Sequence, residues 1–326
     1  MNIKRIIVRV DGDSQIGLGH LIRCIALAQM LKDDYSIHFL SKFAPECIIH
    51  DIKKMGFGFT KIKYENSVFT FLNERDIVVI DHYDLDINYQ KKIKNLGCKL
   101  VCIDDLHEKL FVADLIINHA PGVESKHYNA MPHTKFALGP QFALLRPEFL
   151  NLALSNSQRC QNRKLIICFG GSDFNNLTCS SIELFESDLF FDEISVITGP
   201  SYPHRDQLRK LINRSKKIKW YENLNAHEMA THLKNCQFVL APASSIAYEL
   251  LSAGCTWLGG YYVENQKMIY KGFKQLNCMV DLGNLNLSFA SILSKINNAD
   301  FKYLSKENPI DGKSGFRIKE LFSTLC

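Results

Sequence analysis

The stretch Asp11–Leu31, DGDSQIGLGHLIRCIALAQML, follows the apolar run IIVRV (residues 6–10) and leads into apolar residues at helical spacing. A short β-branched run, a glycine turn and a helical pattern make a strand–turn–helix unit. Two glycines, Gly17 and Gly19, stand immediately before a histidine, His20. The turn is either a dinucleotide fingerprint or a device for presenting the histidine. A fingerprint needs a third small residue three positions after the second glycine, so that helix and strand pack closely. Ile22 occupies that position, and the second strand ends FLSKF (residues 39–43) without the acid that would hold a ribose. No nicotinamide or flavin cofactor is therefore expected. What remains is a turn that lets backbone approach a ligand, with His20 at a helix N-terminus whose free N–H groups favour an anion. A neutral histidine there is a candidate general base. A histidine that merely caps the turn accounts for the same residues.

The strand–helix alternation continues outward from this unit. YSIHFLS (35–41) precedes PECIIHDIKKMG, and DIVVIDHY (76–83) precedes INYQKKIKNLG; KLVCIDD (99–105) and LIINHAP (115–121) follow. A polar stretch, NLALSNSQRCQNR (151–163), reads as a structureless linker. After it the pattern restarts with KLIICFGGSD (164–173), EISVITGP, IKWYENL, CQFVLAPASS, a helix IAYELLSAGC closed by Gly254, and the short strands TWLGGYY and NCMVDLG. Such repetition predicts parallel sheets covered on both faces. The expected fold class is α/β: two doubly wound Rossmann-like domains facing a cleft. The expected domains are residues 1–150 and 164–300, with 301–326 returning toward the first. Ligands of such sheets sit at the carboxyl ends of the strands.

Composition narrows the partners. The 326 residues are 46% hydrophobic and 22% charged, enough for two domains and a large core. The net charge of +5 comes from scattered basic residues, so nucleic acid is not expected, while an anionic small molecule suits the balance. No apolar run reaches the length of a membrane span, and MNIKRIIVRVDG reads as a first strand rather than a signal peptide. Eleven cysteines, an odd number without a CxxC pair, read as reduced thiols of a cytoplasmic protein and not as a zinc site. No metal or other cofactor is expected, and the sequence sets no oligomeric state.

Two motifs of the second half stand at strand ends. Gly170 and Gly171 form a turn where a phosphate can meet backbone N–H groups. In Ala241-Pro-Ala-Ser-Ser-Ile-Ala-Tyr-Glu249, Ser244 or Ser245 can cap a helix or hold a diphosphate. Glu249 can accept both hydroxyls of a ribose, or simply be an acid favoured by the helix dipole. Asn265 and Gln266 open the next helix; their amides suit sugar hydroxyls, and a capping asparagine is the alternative. In the first half, Asp81-His82-Tyr83 ends a strand where it can position a substrate. Gly139–Phe149 holds Pro147 and Phe149, which read as pinning the domain boundary.

Together these segments resemble the UDP-sugar hydrolases of pseudaminic acid biosynthesis, which act on UDP-2,4-diacetamido-2,4,6-trideoxy-β-L-altropyranose. The resemblance rests on SQIGLGHLIRCIALA, VVIDHYDLD, VCIDDL, LGPQFALLRPEF, CFGGSDFNNLT, GPSYPHRDQLR, SSIAYELL, VENQ and IDGKSGFRI, in that family's order across nearly the whole chain. It implies a GT-B-like fold with UDP held mainly by the second domain. It implies that His20 activates water, and that Tyr83 and Asn265 line the sugar site. It further implies that Glu249 holds the ribose, with Ser244, Ser245, Gly170 and Gly171 at the diphosphate. One departure is APASS, where many members carry a GAGGS-like segment. The implied reaction is metal-independent hydrolysis with inversion at the anomeric carbon. A glycosyltransferase of the same fold and a non-catalytic nucleotide-sugar binder are the alternatives.

Overall fold

The computed structural model describes residues 4–12, 18–155, 160–171, 173–286 and 308–325. The chain divides into two compact units, Met1–Pro147 with Lys313–Cys326, and Glu148–Gly312.

The first unit holds a seven-stranded parallel sheet. Its strands are β1 (Lys4–Val10), β2 (Tyr35–Ser41), β3 (Gly58–Lys61), β4 (Ile77–Asp81), β5 (Lys99–Ile103), β7 (Leu115–Asn118) and β9 (Lys135–Leu138), in the order β3-β2-β1-β4-β5-β7-β9. A separate two-stranded ladder pairs β6 (Leu110–Phe111) with β8 (Asn129–Ala130). Ile6, Ile7 and Val8 of β1 are each 1% exposed. Both faces of the strand are covered, which is why it reads as an unbroken apolar run instead of an alternation. Truncating one of them, Ile7→Ala, costs about 2–5 kcal/mol.

The helices of this unit are α1 (Gly19–Leu31), α2 (Glu46–Lys54) and α3 (Ile87–Asn95). α1 buries nine of its thirteen residues. It packs on β1 and also on the C-terminal helix Ser314–Ser323. That helix is tied into the first unit by Ser314 Oγ donating to Ala143 O at 2.8 Å and by Lys319 pairing with Asp33 and Asp34.

The second unit holds six parallel strands: β10 (Lys164–Ile167), β11 (Glu193–Thr198), β12 (Ile218–Glu222), β13 (Phe238–Pro242), β14 (Thr256–Tyr261) and β15 (Met279–Asn284). Their order is β12-β11-β10-β13-β14-β15. Its helices are α4 (Pro147–Leu154), which begins at the boundary, then α5 (Leu177–Phe185), α6 (Arg205–Ile212), α7 (Ala226–Lys234), α8 (Ser245–Ser252) and α9 (Lys267–Gln275). α8 ends in a Schellman motif. Gly254, at φ +74°, donates its N–H to Leu251 O, and Cys255 donates to Leu250 O. Glycine is required there because only it adopts that backbone freely.

Residues 151–154, expected to belong to a structureless linker, are helical. α4 runs through residue 154, because Pro147 starts a helix at the position where a missing N–H costs nothing.

In each sheet the strand order reverses once. The chain leaves β1 toward β2 and returns on the other side at β4; in the second unit it leaves β10 toward β11 and returns at β13. The carboxyl ends of those strand pairs are the switch points, where helices diverge to opposite faces and open a crevice.

Candidate functional site

At the first switch point, register places the functional side chains. Val10 of β1 lies opposite Asp81 of β4, so Asp11 and His82 come next on the same edge. His82 Nε2 lies 3.2 Å from Asp11 Oδ2. The Asp84 N–H donates to His82 Nδ1 at 3.1 Å, which leaves Nε2 as the protonated nitrogen of that ring. Asp11 is 2% exposed and accepts further bonds from Arg9, Ser41 and the backbone N–H groups of Lys42 and Phe43. Burial alone would push its carboxyl up. His82, Arg9 and the Phe43 N–H more than offset that and hold it well below the usual carboxylate range.

His20, the second residue of α1, is 8% exposed. Its Nδ1 lies 2.6 Å from Asp81 Oδ1. Burial would raise the Asp81 carboxyl, but Arg23 and then His20 hold it well below its ordinary value. An ionised carboxylate only accepts, so Nδ1 carries the proton and Nε2 is the basic nitrogen. Tyr83 meets His20 edge-on, ring centroids 4.8 Å apart at 85°, and its hydroxyl donates to Asp105 Oδ2 at 3.1 Å. Burial first, then Asp105, push the Tyr83 phenol well up.

Asp11, His20, Asp81, His82, Tyr83 and Asp84 line a cavity of about 90 Å³. That is room for several waters and far short of the ~300–1,000 Å³ of ordinary small-molecule pockets. α1 has no side-chain N-cap and no acid in its first turn. Gly19 opens the helix with nothing within 4 Å of where a Cβ would stand. Gly17 lies outside the described residues.

At the second switch point the Gly170–Gly171 turn follows β10, with Gly170 at φ +85°. A Cβ on Gly199, just past β11, would meet Gly171 Cα at 2.6 Å, so the two loops touch backbone to backbone. The N-terminal amides of α5 are already taken. The Asp173 carboxylate accepts from the N–H groups of Leu177 and Thr178 at 2.9 and 2.8 Å. The first amides of that helix therefore face an acid rather than open space.

α8 differs. Ser244 occupies its N-cap position without capping by its side chain, and no acid lies in its first turn. The Ser244 hydroxyl thus does not fulfil the capping role open to it in the sequence, and the first turn carries no acid of its own to compete with an anion. Glu249 sits one turn further on and is 8% exposed. Its charge is felt at Cys168, whose thiol burial pushes up to about 11, with Glu249 adding to the rise.

After β14, Asn265 lies in a short 3-10 turn (Glu264–Gln266) and is exposed. Gln266 is buried, and its Oε1 accepts from the Tyr262 N–H at 3.0 Å. That amide oxygen shapes the loop instead of facing a ligand. Tyr262 in turn donates its hydroxyl to Phe169 O at 3.3 Å, tying this loop to the glycine turn.

Sequence reasoning did not single out Asp11, Arg23, Asp81 as a partner of His20, Asp105 or His119. The last two were available from strand register: Ile103 of β5 lies opposite Ile117 of β7, so Asp105 and His119 reach the same edge. Asp84-Leu85-Asp86 lies at the start of α3, as its spacing before a helix suggests. Asp86 caps α3, accepting from the Tyr89 N–H at 2.9 Å. Among the described residues no group of three or more His, Cys, Asp or Glu side chains is arranged to hold a metal ion.

Two parallel-sheet units, each with chemistry gathered at its switch point, define the class: paired Rossmann-like domains of the GT-B kind. MurG of Acinetobacter baumannii matches with a TM-score of 0.64 at 10% identity, covering 98% of this chain and 99% of that one. UDP-GlcNAc 2-epimerase from Neisseria meningitidis, solved with UDP-GlcNAc, matches at 0.62 and 12%, covering 98% and 100%.

No protein-family model matches the chain. An uncharacterized protein of Methanocaldococcus jannaschii, MJ1062, is 30% identical over 284 residues, 82% of this chain; the match spans only 58% of that relative's length. The UDP-2,4-diacetamido-2,4,6-trideoxy-beta-L-altropyranose hydrolase of Campylobacter jejuni is 25% identical over 268 residues, 81% of this chain and 93% of its own. The spore coat polysaccharide biosynthesis protein SpsG of Bacillus subtilis is 23% identical over 84% of this chain and 82% of its own. The chain is a distant homologue of that hydrolase and of SpsG.

Proposed function

We propose that the chain hydrolyses a UDP-linked 2,4-diacetamido-2,4,6-trideoxy hexose to UDP and free sugar, with inversion at the anomeric carbon. The second unit holds the nucleotide. Its diphosphate meets the open start of α8 at Ser244 and Ser245 and the turn at Gly170 and Gly171, and its ribose meets Glu249. Tyr83 and Asn265 contact the sugar. Nε2 of His20 takes a proton from a water as the water oxygen bonds to C1. The C1–O bond breaks and its electron pair leaves with UDP, whose growing charge is met by backbone donors of the second unit.

The observation that carries this reading is the His20–Asp81 pair beside a cavity sized for water. The pair fixes the tautomer with Nε2 free to accept, and a positioned base of this kind contributes about 10²–10⁴-fold. The name of the Campylobacter jejuni homologue supports the substrate class, and the epimerase solved with UDP-GlcNAc supports a UDP-sugar ligand.

The test is incubation of the purified chain, without acceptor, with a panel of UDP-linked diamino sugars, followed by NMR from the first minute. Release of UDP with the sugar appearing first as the inverted anomer is expected. Tight binding without release, or release only when an acceptor is added, contradicts hydrolysis.

A further inference from the structure

Arg23 lies three residues after His20, on the next turn of α1. Its guanidinium grips both oxygens of Asp81, Nε to Oδ2 and Nη2 to Oδ1, each at 2.5 Å. Its Nη1 reaches Asp105 Oδ2 at 2.9 Å. Asp81 Oδ1 is thus shared between His20 and Arg23, and Oδ2 between Arg23 and the Cys24 thiol at 3.5 Å. The side chain of Asp81 is 1% exposed and that of Arg23 14%. The Nη2 of Arg23 also stands 2.9 Å from His20 Nδ1, so the guanidinium and the imidazole meet at the same carboxylate oxygen.

We propose that Arg23 is the positioning residue of His20: its planar fork fixes the Asp81 carboxylate so that Nδ1–H is aimed, and its cation is set against the charge of Asp81 that would otherwise face the imidazole alone. This rests on the reading of His20 as the base. A buried carboxylate left without a counter-charge stabilises an imidazolium beside it, and a base already protonated takes nothing from water. An arginine supplies both remedies at once, because two parallel N–H bonds set the carboxylate plane while the cation neutralises it.

The other groups around His20 have answers of their own. From β1 and the segment after it, Asp11 is met by Arg9 and His82. From the segment after β4, Tyr83 and Asp84 line the cavity with His82. Beyond β5, Asp105 is met by Arg23 and Tyr83. Beyond β7, His119 is held neutral: burial first, and then the charge of Arg23, push it down to about 4. Arg23 is the cation set against Asp81.

The experiment compares Arg23→Met and Arg23→Lys in the full chain. Protonation of His20 is followed by NMR of its imidazole without substrate, and kcat and KM for UDP-sugar hydrolysis are measured across pH. In Arg23→Met the His20 midpoint should rise by about one pH unit or more, and the acid limb of kcat/KM should move with it. In Arg23→Lys the charge stays but the fork is lost. The midpoint should stay near that of the unaltered protein while kcat falls about tenfold or more and KM changes little. An unmoved midpoint in Arg23→Met, or full kcat in Arg23→Lys, overturns the proposal. Should Arg23→Met fail to fold, because it leaves Asp81 buried and unpaired, Arg23→Lys decides alone. A raised midpoint in a protein that hydrolyses none of the sugars supports the clamp and overturns only the hydrolase reading.

Discussion

Nδ1 of His20 lies 2.6 Å from Oδ1 of Asp81, although 61 positions separate them in the chain. The parallel pairing of β1 with β4 brings the start of α1 beside the end of β4. Asp81→Asn keeps the size of the side chain and removes its charge. It should lower kcat by about 10²–10⁴-fold and leave UDP affinity unchanged. It should also cost about 3–5 kcal/mol by leaving Arg23 without its buried partner. Steady-state kinetics and urea unfolding measure the two effects separately.

Acid should destabilise the chain through Asp11 and Asp81. Both carboxyls are held below their ordinary value in the folded protein. Each therefore contributes stability that is fully present above the unfolded value of about 3.9 and is lost as pH falls through the lower folded value. Urea unfolding should show stability falling from about pH 5 downward. Asp11→Asn should be less stable at pH 7 and show a flatter decline. An equal slope in that variant contradicts the assignment.

The start of α8 gives a prediction of opposite signs. Ser245→Asp places an acid in the first turn, which favours the helix by about 0.3–1 kcal/mol, while repelling a diphosphate at the same amides. The melting temperature should hold or rise, and UDP affinity measured by calorimetry should fall at least about tenfold. A variant that binds UDP as well as the parent places the diphosphate elsewhere.

Glu249 tests the ribose contact. Glu249→Gln should weaken UDP binding while leaving 2′,3′-dideoxy-UDP almost unaffected, since that ligand offers no hydroxyl to lose. Equal weakening of both ligands would mean that Glu249 serves the structure of α8 instead.

Much of this was legible in the sequence, for physical reasons that differ by residue. β2 was read at residues 35–41 as observed, because buried Tyr35, Ile37 and Phe39 alternate with Ser36 and His38 at the period of a strand. The closing glycine of α8 was read at Gly254, because few residues adopt positive φ. His20 and Tyr83 stood out at strand and helix ends, where parallel sheets keep their chemistry. The partnership of Asp81 and Arg23 was not legible: a helix arginine looks like any solvated charge until the strand order sets an acid against it. At the α5 start, Asp173, three residues past Gly170, occupies the amides of Leu177 and Thr178, a local partner that the glycine turn does not announce, while the N–H groups of the turn itself are a separate set. Residues 151–154, Asn-Leu-Ala-Leu, were joined to the polar run that begins at Ser155, because the Pro147 start signal was assigned to the boundary.

The most direct test of the account is His20→Ala, assayed for UDP affinity and for acceptor-free turnover of a UDP-linked diamino sugar on the same preparation. Affinity for UDP within about twofold of the parent, with kcat lower by about 10²–10⁴-fold, is the predicted result. Turnover close to that of the parent would contradict the assignment of the base, and with it the reaction built upon it.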